Sequence, residues 1–289
     1  MDTILRPLRT ALYLPANRES AVEKARGADC DAVILDLEDA VAPEAKVEAR
    51  AAAIAAIEQG GFGGRLLVVR VNALDSEWGA EDCVALAGTG VSAVLVPKVS
   101  TVDQIARYRS AIGEGPELWA MLETCAAFLD LPALAASCPS HGLTTFVLGT
   151  NDLALEMRCA LDTQRSAMQP LLVQSVVAAR AYDLAVLDGV FNDIADEAGF
   201  ASQCAQGAAM GFDGKTVIHP KQLAVANAAY GPTDDQIARA RAVVEAFALP
   251  ENQGKGVIKV DGRMTEILHL REAERTLAMQ AAIAGQALV

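Results

Sequence analysis

Short apolar runs recur along the sequence up to position 219: "TALYLPA", "AVILDLE", "RLLVVRVN", "AVLVPKV", "ELWAMLE", "TTFVLGTND", "LAVLDG" and "KTVIHP". Between most of them lie segments such as "ESAVEKARGA", "EAKVEARAAAIAAIEQ", "TVDQIARYRSAI" and "QPLLVQSVVAARAY", whose apolar residues fall three and four apart. A continuous apolar run is a strand buried on both faces, whereas the second spacing is the stripe of an amphipathic helix. Strands buried on both faces and alternating with helices require a parallel sheet covered by helices. Eight such units predict an α/β fold of the (β/α)8 barrel type. A doubly wound sheet would need a glycine-rich phosphate turn after its first strand, where this chain has "LYLPANRES". The "GGFGG" at 60–64 follows a helix and is a turn.

A length of 289 residues suits one barrel domain, expected over 1–248, with a C-terminal extension over 249–289. "YGPTDDQIARARAVVEAFAL" predicts a helix opened by Thr233 as N-cap, with Asp234 and Asp235 in its first turn. "PENQGKG" is a link, "VIKVDGRM" a short strand or hairpin, and "TEILHLREAERTLAMQAAIAG" a terminal helix. The extension is expected to cap the barrel mouth or to reach a neighbouring subunit.

Charge narrows the partners. The net charge is -13 and no run of Lys or Arg forms a basic stripe, so the long-range field repels nucleic acid and anionic membranes. Aromatic content of 4% argues against a base-stacking surface. An anionic substrate must therefore be held by a few local cations. The six cysteines include no C-x-x-C pair, which suits reduced thiols rather than disulfides or zinc. No apolar run approaches the roughly 18 residues of a membrane helix, and "MDTILRPLRT" lacks an apolar signal core. A cytoplasmic protein is expected.

In a barrel of this kind the chemistry gathers where the strands end. Those ends carry Asp36, Glu38 and Asp39; Arg70 and Asn72; Lys98; Glu123; Asn151 and Asp152; Asp188, with Asn192 and Asp193 soon after; and His219. Glu123 and Asp152 come from neighbouring strands and make an oxygen-only pair suited to Mg2+, which takes one or two carboxylates and completes its shell with water and substrate. The alternative is that Glu123 caps a helix and Asp152 closes a turn. Arg70, inside "VVRVN", needs a carboxylate or an anionic ligand, and the "DLED" acids are expected to orient it. Glu38 and Asp39 are the acids expected to reach the site. Lys98 raises a rival chemistry, a Schiff base with a carbonyl substrate. His219 could serve as a base or as a satisfied structural residue.

Taken together, "RTALYLPANR", "DAVILDLEDAVAPEAKVEAR", "VRVN", "VLVPKV", "AMLET", "LGTNDLA", "LDGVFND" and "GFDGKTVIHPKQLAVANAAY" resemble the HpcH/HpaI aldolase and citrate lyase beta-subunit superfamily. The likeness is greatest to its citrate lyase beta-like branch and to the malyl-CoA and citramalyl-CoA lyases. The resemblance implies a TIM barrel that uses Mg2+, with Mn2+ as a substitute, to make or break a carbon–carbon bond between a thioester enolate and a 2-oxo acid. It implies Glu123 and Asp152 as metal ligands and Arg70 as the holder of the substrate oxyanion. Backbone at Gly149, Thr150 and Asn151 would meet the oxo-acid carboxylate, and Arg18 and Lys24 the CoA phosphates. The stand-alone lyases carry a C-terminal "DG-x-M-I-D" segment with a proton-transferring aspartate. Here "VDGRMTEI" puts Glu266 in that place.

The expected function is thus a CoA-thioester carbon–carbon lyase giving acetyl-CoA, or another acyl-CoA, and glyoxylate or pyruvate, in a homo-oligomer of three or six copies. Two other functions compete: a citrate lyase beta subunit acting on an acyl-carrier-protein thioester, and a non-catalytic barrel that binds oxo acids or CoA esters.

Overall fold

A computed structural model of the chain describes residues 6–286. Eight parallel strands form a closed barrel: β1 (Thr10–Pro15), β2 (Ala32–Asp36), β3 (Leu66–Arg70), β4 (Ala93–Val96), β5 (Glu117–Leu122), β6 (Leu143–Leu148), β7 (Ala185–Asp188) and β8 (Gly214–Val217). Closure is the β1–β8 ladder, in register from Thr10 opposite Lys215 to Leu12 opposite Val217. Gly214 opens β8 because a side chain there would collide with the carbonyl oxygen of Leu8. The expected (β/α)8 TIM barrel is the observed fold.

Alternate residues of each strand point inward. Ala11, Ala32 and Ile34, Val68, Ala93 and Leu95, Trp119 and Met121, Val147 and Leu187 pack together as the barrel's interior. Val33, Leu35, Val69, Val94, Phe146 and Val186, at the intervening positions, are equally buried. This is why the strands read as unbroken apolar runs. The two-residue period then carries the inward face on to Asp36, Arg70 and Glu123 at the ends of β2, β3 and β5. These polar groups rest on the apolar plug.

The chain divides into two compact units, one of them Leu8–Asn227. The other contains the residues from Ala228 onward, so the helix Asp234–Ala248, which the sequence reading grouped with the barrel, belongs to that second unit. Its apolar stripe explains the grouping: Ala240 and Val243, with Val244 and Phe247, are buried against Leu270, Ala273 and Leu277 of the helix Ile267–Gln286. Thr233 caps the first of these helices through a capping box with Gln236, as its sequence predicted. Between them β9 (Val257–Val260) and β10 (Arg263–Glu266) form an antiparallel hairpin. Its turn is Asp261-Gly262, with φ of 49° and 81°, the left-handed pair that a two-residue hairpin requires. Among the described residues no helix is long and apolar enough to cross a membrane. All six cysteines are free.

Candidate active site

Asp36, Asp39, Glu123, Asp152 and Arg70 meet at a cavity of about 280 Å3 at the C-terminal end of the barrel. Arg70, 7% exposed, is held from one side by Asp36: Nε donates to Oδ1 at 2.6 Å and Nη2 to Oδ2 at 2.7 Å. The pair follows from register, because Asp36 lies directly opposite Arg70 in the β2–β3 ladder. Asp36 also accepts the backbone N–H groups of Glu38 and Ala40, so its oxygens are fully used. The remaining guanidinium nitrogen, Nη1, faces Glu38 Oε2 at 3.0 Å and Asp39 Oδ2 at 3.1 Å. Burial works against the charge on Arg70, but the hydrogen bonds to Asp36 together with Tyr13 and the charges of Asp36 and Glu38 prevail and hold the pKa well above the ordinary value.

This accounts for three carboxylates at one strand end. Asp36 fixes Arg70; Asp39, 59% exposed, lies over Nη1 and lines the cavity. Glu38 is buried behind the wall, between Arg70 and Lys98, whose Nζ is 3.3 Å from its Oε1. Of the two acids expected to reach the site, only Asp39 lines the cavity. Burial raises the Glu38 pKa, an effect that Arg70 opposes. The loop itself is pinned by Lys46, whose Nζ donates to the carbonyls of Leu37 and Glu38 and to Asn72 Oδ1. Asn72 is therefore part of the support, not of the cavity.

Glu123 is 2% exposed, yet it lines the cavity. It does not cap a helix: Thr124 does, accepting the N–H of Ala127. One Glu123 oxygen accepts the backbone N–H of Lys98 at 2.6 Å, and Lys98 itself has a left-handed backbone, φ 53°. Burial and then the charge of Glu38, with a contribution from Asp152, push the Glu123 pKa up to about 8, against the pull of that N–H and Arg70. Asp152 sits in the first turn of the helix Thr150–Met157 and lines the same cavity. Gly149, the N-cap of that helix, donates its N–H to Leu122. A Cβ at Gly149 would strike both Cβ and Oε2 of Glu123, so glycine is what lets the two strand ends close around the carboxylate. Thr150 and Asn151 line the cavity beside it, and first-turn amides have no acceptor within their own helix.

Asp36 and Arg70 neutralise one another, whereas buried Glu123 and half-buried Asp152 bring two further carboxyl groups to the cavity with no salt bridge of their own among the described residues. That donor set fits a hard divalent cation with two protein carboxylates and the rest of its shell from substrate and water. Among the described residues no cluster of three or more His, Cys, Asp or Glu offers a richer metal site.

Other strand-end groups have different duties. Lys98 is half-exposed, and its pKa is raised: burial lowers it, but Glu38, Asp39 and Asp152 prevail. A Schiff-base lysine needs the opposite shift. Asp188 is buried away from the cavity and spent on Arg165 (2.5 Å) and Lys215 (3.1 Å). His219 Nδ1 accepts the N–H of Lys221 in a capping box, a structural part. Arg18 is exposed at the start of the helix Glu19–Ala25 and Lys24 in its last turn; neither lines the cavity. Glu266 is exposed on β10, in the other compact unit, and its N–H donates to His269 Nδ1. Asn192, singled out after the seventh strand, lines the cavity, whereas sequence reasoning passed over Tyr13, Met121 and Thr216, which line it too. For Tyr13 and Met121 the signal was there: each shares the inward parity of Ala11 and Trp119.

Residues 9–220 match the family described as HpcH/HpaI aldolase/citrate lyase. A "(3S)-malyl-CoA thioesterase" of Cereibacter sphaeroides is 44% identical over 279 residues, 96% of either chain. An "L-malyl-CoA/beta-methylmalyl-CoA lyase" of the same species is 31% identical over 298 residues, 93% of either chain. Among solved structures, CitE of Mycobacterium tuberculosis in complex with magnesium, acetoacetate and coenzyme A is 29% identical, with a TM-score of 0.76 over 96% of this chain and 98% of that one. A citrate lyase from Burkholderia xenovorans shares the fold at a TM-score of 0.79 and 17% identity, over 97% of this chain and 94% of that one. With most of the barrel matched by sequence and the whole of it by fold, this chain belongs to the HpcH/HpaI aldolase/citrate lyase family.

Proposed function

We propose that the chain is a magnesium-dependent enzyme that hydrolyses a malyl-type CoA thioester to the hydroxy acid and free CoA. The observation that carries this reading is the near end-to-end 44% identity with a thioesterase of that substrate, against 31% with lyases. Glu123 and Asp152 would hold the cation, which when bound supplies positive charge for the hydroxy-carboxylate and Lewis acidity at its oxygens. The amides of Thr150 and Asn151 meet the substrate carboxylate, and the exposed Arg18 and Lys24 take the CoA phosphates. Arg70, locked by Asp36, offers Nη1 to an oxygen of the substrate once Asp39 moves aside. Asp39 then accepts a proton from the attacking water. The new carbon–oxygen bond forms, the carbon–sulfur bond breaks, and the leaving thiolate takes a proton from solvent.

Carbon–carbon cleavage is the second reading, favoured by the 93% coverage of the malyl-CoA lyases. In it Glu266 would stand for the aspartate of the "DG-x-M-I-D" segment. Incubation of the purified protein with (3S)-malyl-CoA and Mg2+ separates the two. Hydrolysis releases a free thiol and malate; cleavage releases glyoxylate and acetyl-CoA with the thiol still esterified. Glu123→Gln should abolish either. If neither product forms, both readings fall.

A further inference from the structure

Tyr13 is the one ring among the residues lining the cavity. It lies on β1, half-buried, with the Arg70 guanidinium carbon 5.1 Å from its ring centroid. Its hydroxyl points at the sulfur of Met121, 3.9 Å away. Arg70 Nη1 points at the same sulfur from 3.8 Å. Two donors, one of them cationic, thus converge on a thioether, which is among the poorest acceptors a protein has. Arg70 has its other partners in Asp36, Glu38 and Asp39; among the described residues the tyrosine hydroxyl has no better acceptor than the sulfur. A donor so placed, on the wall of a cavity that also holds Glu123 and Asp152, is underused until an oxygen enters.

We propose that the Tyr13 hydroxyl is a second hydrogen-bond donor, beside Arg70, to one oxygen of the bound malyl group. The assignment rests on the reading that this cavity takes a malyl-type substrate. It makes the pair an oxyanion site: the guanidinium supplies charge, the phenol supplies direction, and neither has to reorganise when negative charge develops. Burial raises the pKa of the phenol, with Asp36, Glu123 and Glu38 adding to the rise and Arg70 opposing it, so the group remains a protonated donor. The ring also shields one face of the guanidinium from water, which strengthens both hydrogen bonds.

Tyr13→Phe removes the hydroxyl and keeps the ring against Arg70. Malate, the hydrolysis product, is the probe, titrated calorimetrically into the magnesium-loaded wild-type and variant proteins beside a thermal melt of each. The variant should melt within about 3 °C of wild type and bind malate about 5- to 10-fold more weakly, the effect of one lost neutral hydrogen bond. With (3S)-malyl-CoA as substrate, kcat should fall about 10-fold or more while KM changes less, because the bond strengthens as charge develops. Equal malate affinity of the two proteins, or no malate binding by either, overturns the assignment. A Tyr13-dependent malate affinity in a protein that turns over no thioester would instead leave Tyr13 in place and remove the proposed reaction.

Discussion

The residue that decides most about this site is Arg70, because a buried guanidinium is tolerable only with its partners in place. Asp36→Asn leaves that cation without its bidentate carboxylate. The cost of stranding a buried charge is about 3–5 kcal/mol, which at about 2–4 °C per kcal/mol lowers Tm by on the order of 10 °C. A melt of the variant measures it, and a shift under 2 °C would show that Glu38 and Asp39 suffice. Glu123 gives a pH signature. Its pKa in the fold, about 8, lies above its ordinary value of 4.5. The protonated carboxyl therefore favours the folded state, with full effect below about pH 4.5 and loss as pH rises through about 8. In chelator-treated protein Tm should fall between about pH 5 and 8, and Glu123→Gln should flatten that fall. A wild-type curve that rises through the window would contradict the assignment of Glu123 as an uncompensated buried acid.

At the scale of elements, the end of β7 is tied to the start of β8 by a polar network outside the cavity. Asp188 pairs with Arg165 and Lys215, and Lys215 is also bonded to the carbonyl of Gly189 and to Gln203. The same two strands and the residues just after them bring Val190, Thr216 and Ile218 into the cavity wall, and Thr216 Oγ1 donates to the Asp188 carbonyl. Asp188→Asn strands two buried cations and should destabilise by about 3–5 kcal/mol, more than any single exposed charge; denaturant unfolding tests this. Arg18, the N-cap of the helix Glu19–Ala25, and Lys24 in its last turn are the proposed CoA contacts. Arg18→Ala with Lys24→Ala should raise KM for a CoA ester several-fold and leave KM for the corresponding pantetheine ester, which lacks the nucleotide phosphates, unchanged. Equal effects on the two substrates would move the phosphate contacts elsewhere.

For the whole molecule, the net charge of -13 and the carboxylate surplus at the barrel mouth make a cation the natural stabiliser. Magnesium at about 100 times its Kd adds about 2.7 kcal/mol, a rise of roughly 5–11 °C in Tm. Chelation should reverse the rise and Glu123→Gln should abolish it. A Tm indifferent to magnesium would remove the metal from the site.

Much of this was legible in the chain itself. Apolar runs long enough for a strand and no longer, each followed by a helical stripe, leave few architectures open. The period of two then places Asp36, Arg70 and Glu123 on one inward face, for reasons of backbone geometry alone. The helix Asp234–Ala248 was harder to assign, since its stripe says that it packs and is silent about which partner it packs on. What the sequence could not settle is which charges cancel. Compensation depends on distances through space between residues far apart in the chain, and only folding sets Asp36 against Arg70, buries Asp188 between Arg165 and Lys215, and leaves Glu123 without a counter-ion. Composition and periodicity thus determined the barrel and the end at which its chemistry gathers. The tertiary structure alone decided which acids are spent on support and which remain to grip a ligand, because electrostatic balance is a property of positions, not of letters.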